Sequence, residues 1–430
     1  MTEALRFTEG CPRIYAIPPG MPVAATLAAG LRARLRADPL GLGRVSLLLD
    51  TRRAGREVVE ALESGTTATF LPRILALGDA GTDLPGAALA LKHLPPAVPP
   101  LRRWLTLTRL VAQWLSHRPE RAPEAAAPAL AQALAALLDT VQRAGYGLEA
   151  LAAAVPEDHA RHWDDTQAFL SILADVWPGI LAGHEDGALD PEARRRAAVE
   201  ALLDSWNAGK NPGPIVAAGS PGAAETSAML MAAIARLPEG AVVLPGFDPA
   251  IAAEIWEGIG PEHPYGGFRD LLQRLDVTPD SVLLWHDTAE PPATTARRFL
   301  IGQALRPAPV TDRWLDAQPR LAADAAEATA GLTLIEAPDP RREATAIALT
   351  LREALETPGR RAALITPDRD LARRVAAALQ RWNIEADDSA GRPLSLTPPG
   401  VFLRLLGEAA FGPFDPVSLL ALLKHPLAGS

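Results

Sequence analysis

Several residue types are scarce in this 430-residue chain, and each scarcity excludes a class of protein. The single cysteine, Cys11, excludes an internal disulfide framework and a cysteine cluster for zinc or iron–sulfur within this stretch. No apolar run approaches the roughly 20 residues that span a bilayer, and the N-terminus lacks the basic and apolar regions of a secretory signal. We therefore expect a cytoplasmic protein with no membrane partner.

Lysine is also scarce, and its absence matters most after the first predicted strand. The apolar run Arg13–Ile17 leads into Pro18, Pro19 and Gly20 and then into a helical pattern. A phosphate loop at this place needs a glycine-rich turn, a lysine that reaches the phosphates and a Ser or Thr for magnesium. The only lysine before residue 150 is Lys92, and two prolines remove amide donors. We predict a degenerate phosphate-loop position, with a residual phosphate site at the helix N-terminus as the alternative.

A second motor motif is missing as well. ATP hydrolysis needs carboxylates after an internal strand to hold magnesium and orient water. The equivalent predicted strand, Ile215–Ala218, is followed by Gly219 and Ser220, and no Asp or Glu occurs between Asp204 and Glu225. The sequence thus lacks both the Walker A lysine and the Walker B acids.

The pattern of apolar residues predicts three parts in the first 330 residues. Residues 13–95 alternate strand and helix, which favours a parallel sheet. Prolines between Leu94 and Pro100 stop this alternation, and helical periodicity follows until about residue 205. The alternation of strand and helix then resumes with the predicted strands Ile215–Ala218 and Ala241–Leu244. We predict one α/β domain over residues 1–95 and 211–330, interrupted by an all-helical insertion at 96–210.

A second α/β unit is predicted over residues 331–430. Its strands are Leu332–Ile335, Ala362–Ile365 and a short one at Asn383–Glu385, with amphipathic helices between and after them. Sheets usually have about five or six strands. We therefore expect the chain to stop inside this domain, as a fragment of a longer protein.

Few polar residues are placed for chemistry. Asp248 follows a strand, where α/β proteins place ligand-binding groups, but it also suits the N-cap of a helix that begins at Pro249. The Gly219–Gly222 turn permits either an anion site or a plain turn. The eight histidines show no metal-binding spacing, and no nucleophile turn G-x-S-x-G occurs. We predict no catalytic residue, no metal ligand and no cofactor within this segment.

Arginines are dense in the second α/β unit and are the candidate nucleic-acid contacts. Arginine binds phosphate backbones well, although interleaved Glu and Asp equally suit an ordinary solvated surface. The net charge of −9 does not exclude a local basic groove. The candidates are Arg341, Arg342, Arg369, Arg373, Arg374 and Arg381.

Particular strings are more informative than periodicity. The runs Leu334–Ala344, Ala363–Arg369 and Asp387–Leu394 closely resemble the AddB family of alphaproteobacterial type. AddB is the subunit that partners AddA in the AddAB helicase–nuclease of double-strand break repair. Further matching strings are Leu71–Ile74, Val242–Asp248, Ala304–Trp314 and Leu423–Leu427.

The resemblance implies a fold and a role. The fold would be a degenerate superfamily 1 helicase-like, RecA-like domain with an all-helical insertion, followed by the start of a second RecA-like domain. The family's nuclease domain, with its iron–sulfur cluster and Mg, would lie in a C-terminal part that this sequence lacks. AddB relatives that keep a complete phosphate loop differ from this chain at Pro18, Pro19 and Gly20.

We therefore predict a non-hydrolysing scaffold that binds single- and double-stranded DNA and AddA in homologous recombination. Any enzymatic activity of the parent would come from AddA or from the missing domain. Two alternatives stay open: an α/β enzyme or module that binds a nucleotide or sugar-phosphate, and a pure protein-interaction module.

Overall fold

The structure is a computed structural model, and it describes residues 10–35, 38, 40–64, 70–79, 83–84, 87–117, 123–147, 169–184, 187–220, 224–287, 292–413 and 415–429. The chain divides into two compact units, Met1–Ala330 and Gly331–Ser430. The first unit contains a sheet and most of the helices, and the second contains helices joined by extended segments. No helix in the described ranges is both long and apolar enough to cross a membrane.

The first unit is built on one all-parallel sheet of six strands, in the order β3-β2-β4-β5-β1-β6. Tyr15 and Ala16 of β1 pair with Val243 and Leu244 of β5 on one side and with β6 on the other. The predicted α/β class with a parallel sheet is confirmed. The strands are β1 (Ile14–Ile17), β2 (Ser46–Leu49), β3 (Arg73–Ala76), β4 (Ile215–Ala218), β5 (Gly240–Pro245) and β6 (Leu283–Leu284).

Helices of the first unit follow the strands and fill the insertion. They are α1 (Val23–Arg34), α2 (Arg52–Glu63), α3 (Ala87–Ala90), α4 (Pro100–Ser116), α5 (Ala127–Arg143), α6 (Trp177–His184), α7 (Pro191–Asn207), α8 (Glu225–Arg236), α9 (Ala253–Gly258), α10 (Gly266–Leu275), α11 (Pro292–Ala304) and α12 (Trp314–Ala328). A π-helical turn, Ile172–Val176, precedes α6. Residues 148–168 of the predicted insertion lie outside the described residues.

Both faces of the sheet are covered, which explains why β1, β2 and β4 are almost continuously apolar. Alternate residues of each strand point to opposite faces. Ile14 and Ala16 pack with side chains of α7, α8 and α10. Tyr15 and Ile17 pack with side chains of α1 and α2. The layers are therefore helices, sheet and helices.

Trp285, directly after β6, fixes α1 on the sheet. Its ring is 1% exposed, and its Nε1 donates a 3.1 Å hydrogen bond to the Leu27 carbonyl. A Cβ atom on Gly30 would lie 2.1 Å from that nitrogen. The Arg34 guanidinium covers the same ring, 3.9 Å from its centroid. Glycine is thus required at position 30 by close packing.

The insertion has its own core, formed by α4, α5 and the segment 172–177. Helix α7, however, contributes Val199 and Leu202 to the core beneath the sheet. The predicted insertion of 96–210 therefore includes one helix that belongs to the layers of the α/β domain. A short backbone bridge between Ala97 and Leu189 ties the start of the insertion to the chain that returns from it.

The second unit contains α13 (Pro340–Leu355), α14 (Arg369–Leu379), α15 (Pro398–Phe411) and α16 (Pro416–Leu423). Ala344 and Ala348 of α13 pack on Val375 and Leu379 of α14. Asp339 and Asp368 cap the N-termini of α13 and α14.

The prediction of three strands in this unit is wrong. Leu332–Ile335, Ala362–Ile365 and Asn383–Glu385 form no strand, and Ile365 is 94% exposed. Their apolar sequences suit a sheet, but a strand needs a hydrogen-bonded neighbour, and none of the three segments pairs with another strand among the described residues. The helices next to them were predicted correctly.

Candidate functional site

The sheet order places a crevice at the carboxyl ends of β1 and β5. The chain leaves β1 for β2, three positions away in the sheet, whereas the connection from β5 passes over β1 to reach β6 on the opposite side. Such a reversal of strand order opens a gap between the connections, and ligands of open α/β sheets bind there. The segments around this crevice are the turn after β1, the loop after β5 and helix α11.

The turn after β1 is tight and closed. The Met21 amide donates a 3.3 Å hydrogen bond to the Pro18 carbonyl, and Gly20 has a φ of 86°. Proline followed by a left-handed glycine is the pattern of a type II turn. A Cβ on Gly20 would lie 2.6 Å from Cγ2 of Thr294, in the first turn of α11. The Thr294 methyl group therefore packs against the face of the turn where a larger residue would project.

The loop after β5 is fixed by a hydrogen-bonded tyrosine. The Tyr265 hydroxyl donates to the Gly246 carbonyl at 2.9 Å and accepts from the Asp248 amide at 3.2 Å. Burial is the main reason why the pKa of Tyr265 rises to about 12. Asp248 does not cap a helix, because its Oδ1 accepts from the Ala250 amide in a local turn and α9 begins only at Ala253. Its Oδ2 lies 3.3 Å from Nε of Arg298.

These segments enclose a pocket of about 550 Å³. Its apolar wall comes from the loop after β5, helix α9 and helix α11, and includes Ile251, Ile255, Phe299 and Leu305. Gly302 also lines the pocket, and a Cβ placed on it would meet nothing within 4 Å. The volume falls within the range of small-molecule sites.

Among the described residues, four guanidinium groups and one carboxylate line this pocket. Arg298 pairs with Asp248, and Arg320 contacts Asp324 at 3.4 Å while lying 3.9 Å from the centroid of the Phe299 ring. Arg297 and Arg306 also line the pocket.

The charges of Arg297 and Arg306 are met by neutral acceptors. Arg297 Nε donates to the Ala328 carbonyl at 2.9 Å, and Arg306 Nε donates to Oε1 of Gln303 at 2.6 Å. Within the part of the chain that the structure describes, no carboxylate contacts either guanidinium. Among the described residues of the pocket, Arg297 and Arg306 therefore place positive charge without a carboxylate partner beside an apolar wall.

A second strand-end contact joins β2 and β4. Asp50, at the end of β2, accepts hydrogen bonds from the Ser220 amide at 3.2 Å on each carboxylate oxygen. A Cβ on Gly219 would lie 2.0 Å from Asp50 Oδ1, so a larger residue there would displace the Asp50 carboxylate from its contact with Ser220. Burial raises the pKa of Asp50, and the amide hydrogen bond partly offsets this. The sequence shows no acid directly after β4, because the carboxylate that lies there is Asp50, at the end of the neighbouring strand β2. The rest of the predicted turn, residues 221–223, lies outside the described ranges.

The six candidate DNA contacts lie in the second unit, at the N-termini of α13 and α14 and just after α14. All six are exposed. Arg342 pairs with Asp339 at 3.6 Å, Arg369 with Asp388 at 2.6 Å and Arg373 with Asp370. The other three, Arg341, Arg374 and Arg381, form no salt bridge with a described carboxylate, although the charge of Arg374 contributes to lowering the pKa of Asp368.

The caps of these helices add to the local electrostatics. The Leu371 and Asp370 amides donate to Asp368, which lowers the pKa of that carboxyl. Helix N-termini carry partial positive charge. The capping carboxylates satisfy part of that charge, and Arg341, Arg374 and Arg381 add positive charge to the same surface.

No protein-family model matches this chain, and no curated protein matches it in sequence. Among the described residues, no three His, Cys, Asp or Glu side chains lie close enough to hold a metal ion. Two arginine-rich surfaces are therefore the candidate functional sites: the pocket of the first unit and the exposed helix surface of the second unit.

Proposed function

We propose that this chain is a helicase-like, non-hydrolysing part of an AddB-type subunit. This chain would bind both DNA and an AddA-type helicase–nuclease subunit during double-strand break processing. The observation that carries the proposal is the closed turn after β1, in which a proline–glycine turn packed on Thr294 stands where an ATPase would bind phosphate. An α/β domain with this turn would lack the phosphate-binding group that ATP hydrolysis requires, which supports a non-hydrolysing role.

Two further observations support the proposal. The sheet is all-parallel with helices on both faces, as a RecA-like domain requires. Arg374 and Arg381 lie on the exposed surface of the second unit, and neither forms a salt bridge with a described carboxylate. Such arginines bind phosphate groups without sequence preference, because the contact is electrostatic.

The DNA-binding part of the proposal is tested by salt dependence. Binding of the full chain to a labelled single strand and to a blunt duplex is measured between low and physiological salt. Each phosphate contact contributes about 0.7 to 0.9 to the slope of log K against log salt. The double variant R374Q/R381Q should weaken binding and reduce the slope by about 1 to 2. The matched control is R404Q, an exposed arginine on α15 of the same unit. An unchanged slope in R374Q/R381Q would contradict the assignment of these contacts.

The same preparation separates the alternatives. Association with an AddA subunit in sedimentation experiments, without salt-dependent DNA binding, would favour the pure interaction module. Tight binding of ATP or a dinucleotide without DNA binding would favour the nucleotide-binding module. Measurable ATP hydrolysis by the purified chain would contradict the non-hydrolysing part of the proposal.

A further inference from the structure

Strand β3 forms one edge of the parallel sheet. In the part of the chain that the structure describes, β3 pairs with β2 on one side and with no strand on the other. An unpaired edge presents amide and carbonyl groups with which another extended chain can pair. The outer side of β3 can therefore accept a further strand.

The backbone groups that face this open edge belong to Ile74 and Ala76. The Arg73 amide donates a 2.9 Å hydrogen bond to the Val45 carbonyl, directly before β2. The backbone groups of successive residues in a strand point to opposite sides, so Leu75 also faces β2, whereas Ile74 and Ala76 face outward. Among the described residues, no group forms a hydrogen bond with the amide of Ile74 or of Ala76. These two amides are donors for an added strand.

A groove of about 540 Å³ lies beside the same edge, between β3 and helix α2. Ile74 and Ala76 of β3 and Gly55 and Val59 of α2 line it. The helix lies close against the strand, since a Cβ on Gly55 would lie 2.8 Å from Cγ2 of Ile74. When a peptide adds to a sheet edge, backbone hydrogen bonds give affinity and pockets beside the strand take alternate side chains. The β3 edge combines both features.

The charge of Arg56 indicates which segment fits. Arg56 is exposed on α2 and lines the groove, and no carboxylate of the described residues lies within salt-bridge distance of its guanidinium. Arg52, one turn earlier, is already paired with Asp79 at 3.3 Å. Glu60 and Asp83 also line the groove, so a uniformly acidic segment would meet like charges. The groove therefore favours an apolar segment with one acidic side chain beside Arg56.

We propose that the β3 edge binds an extended segment of a partner protein, which joins the sheet as a further strand. The backbone of the segment pairs with Ile74 and Ala76, an apolar side chain enters the groove against Val59, and an acidic side chain pairs with Arg56. A second copy of the same edge is a poorer occupant, because Arg73–Ala76 contains no acidic residue to place beside Arg56. The proposal does not depend on the DNA contacts proposed for the second unit.

The test uses the full chain to select from a phage-displayed library of random short peptides. Enriched peptides should alternate apolar or β-branched residues with polar ones and contain an acidic residue. A labelled synthetic copy of the most enriched peptide is then titrated by fluorescence anisotropy. Replacement of its acidic residue by lysine should weaken binding at least tenfold.

Backbone methylation of the peptide distinguishes strand addition from other binding. One version is methylated on the odd-numbered nitrogens and another on the even-numbered ones. In an added edge strand only alternate amides face the sheet, so one version should lose binding and the other should keep it.

Two pairs of variants locate the site. A76P removes the outward amide at an edge position that proline can occupy, so peptide binding should weaken at least tenfold, whereas A76S keeps the amide and the binding. R56E should weaken binding of the acidic peptide at least tenfold and strengthen binding of its lysine version. R109E, which changes an exposed arginine on α4 outside the groove, should alter neither. Circular dichroism and thermal melting verify that each variant is folded.

Some results would overturn the inference. These are the absence of enriched peptides, equal peptide affinity in the wild type and folded A76P, unchanged affinity in R56E, or an equal effect of the two methylation patterns. Self-association of the chain that A76P abolishes would also overturn it, because the occupant of the edge would then be a second copy.

Discussion

Nε of Arg103 donates a 2.9 Å hydrogen bond to Asp190, and the two side chains are 7% and 4% exposed. Asp190 also accepts from Trp177 Nε1 at 2.9 Å, and Arg103 Nη2 lies 2.8 Å from Asp139. Asp190 immediately precedes α7, whose side chains enter the core beneath the sheet. A buried ion pair therefore joins the first helix of the insertion to the helix that leads back to the α/β domain.

Replacement of Asp190 by alanine should strongly destabilise the first unit. The change leaves the Arg103 guanidinium buried with only the partly exposed Asp139 nearby, and breaking a buried pair from one side costs about 3 to 5 kcal/mol. Urea denaturation measures the loss. In the double variant R103M/D190L both buried charges are absent, so its loss should be smaller than that of D190A. A D190A protein as stable as the wild type would show that the pair does not hold the insertion.

Gly30 should not accept alanine, although alanine favours helices. The added methyl group would lie 2.1 Å from Nε1 of Trp285, which is 1% exposed and hydrogen-bonded to Leu27. Overpacking costs about 1 to 3 kcal/mol, which exceeds the gain of about 1 kcal/mol in helix propensity. G179A, in open space on α6, should instead be neutral or stabilising. Thermal unfolding compares the two, and equal melting temperatures would refute the close packing of Trp285.

The sequence predicted the strands that are buried on both faces, because β1, β2, β4 and β5 are short apolar runs between turn residues. It did not predict β6, because Leu283–Leu284 is only two residues long and both are exposed. In the second unit the same kind of pattern gave strands that do not form. An apolar run shows that a segment suits a sheet, but the existence of the sheet depends on its neighbours.

The candidate site could be predicted only in part. Strand-end positions indicated Asp248 and the Pro18–Gly20 turn, since the carboxyl ends of parallel strands share one edge. The arginines of the pocket lie on α11 and beyond, more than 40 residues after Asp248, and no spacing pattern links them to it. Asp50 follows an apolar run within the alternating stretch 13–95, but its contact with Ser220 depends on the pairing of β2 with β4, which one sequence does not reveal.

Asp50 should lower stability slightly at neutral pH. Burial raises its pKa in the folded chain, so between the unfolded value of 3.8 and the higher folded value the native state binds more protons. Stability then falls as pH rises through this window. D50N, whose amide oxygen still accepts from Ser220, should be the more stable protein at pH 7, by less than about 1 kcal/mol because the residue remains solvent-exposed. Below pH 3.8 the difference should vanish. A wild-type advantage at pH 7 would contradict this sign.

Tyr265 should make stability fall at alkaline pH. Burial raises its pKa from 10 to about 12, so its stabilising contribution is complete below pH 10 and is lost as pH rises towards 12. At pH 8, Y265F should be less stable by about 1 to 3 kcal/mol, because the Gly246 carbonyl and the Asp248 amide lose their partner. The difference in stability between Y265F and the wild type should narrow above pH 10, because Tyr265 then ionises in the unfolded chain while burial keeps it protonated in the folded one, which favours unfolding of the wild type. Denaturation of both proteins between pH 8 and 11.5 measures this difference in stability. Y146F is the control, because Tyr146 is 67% exposed and its removal should not change stability with pH in this way. A gap that stays constant across this range would mean that Tyr265 titrates as an ordinary tyrosine, and that the loop after β5 does not shield it from water.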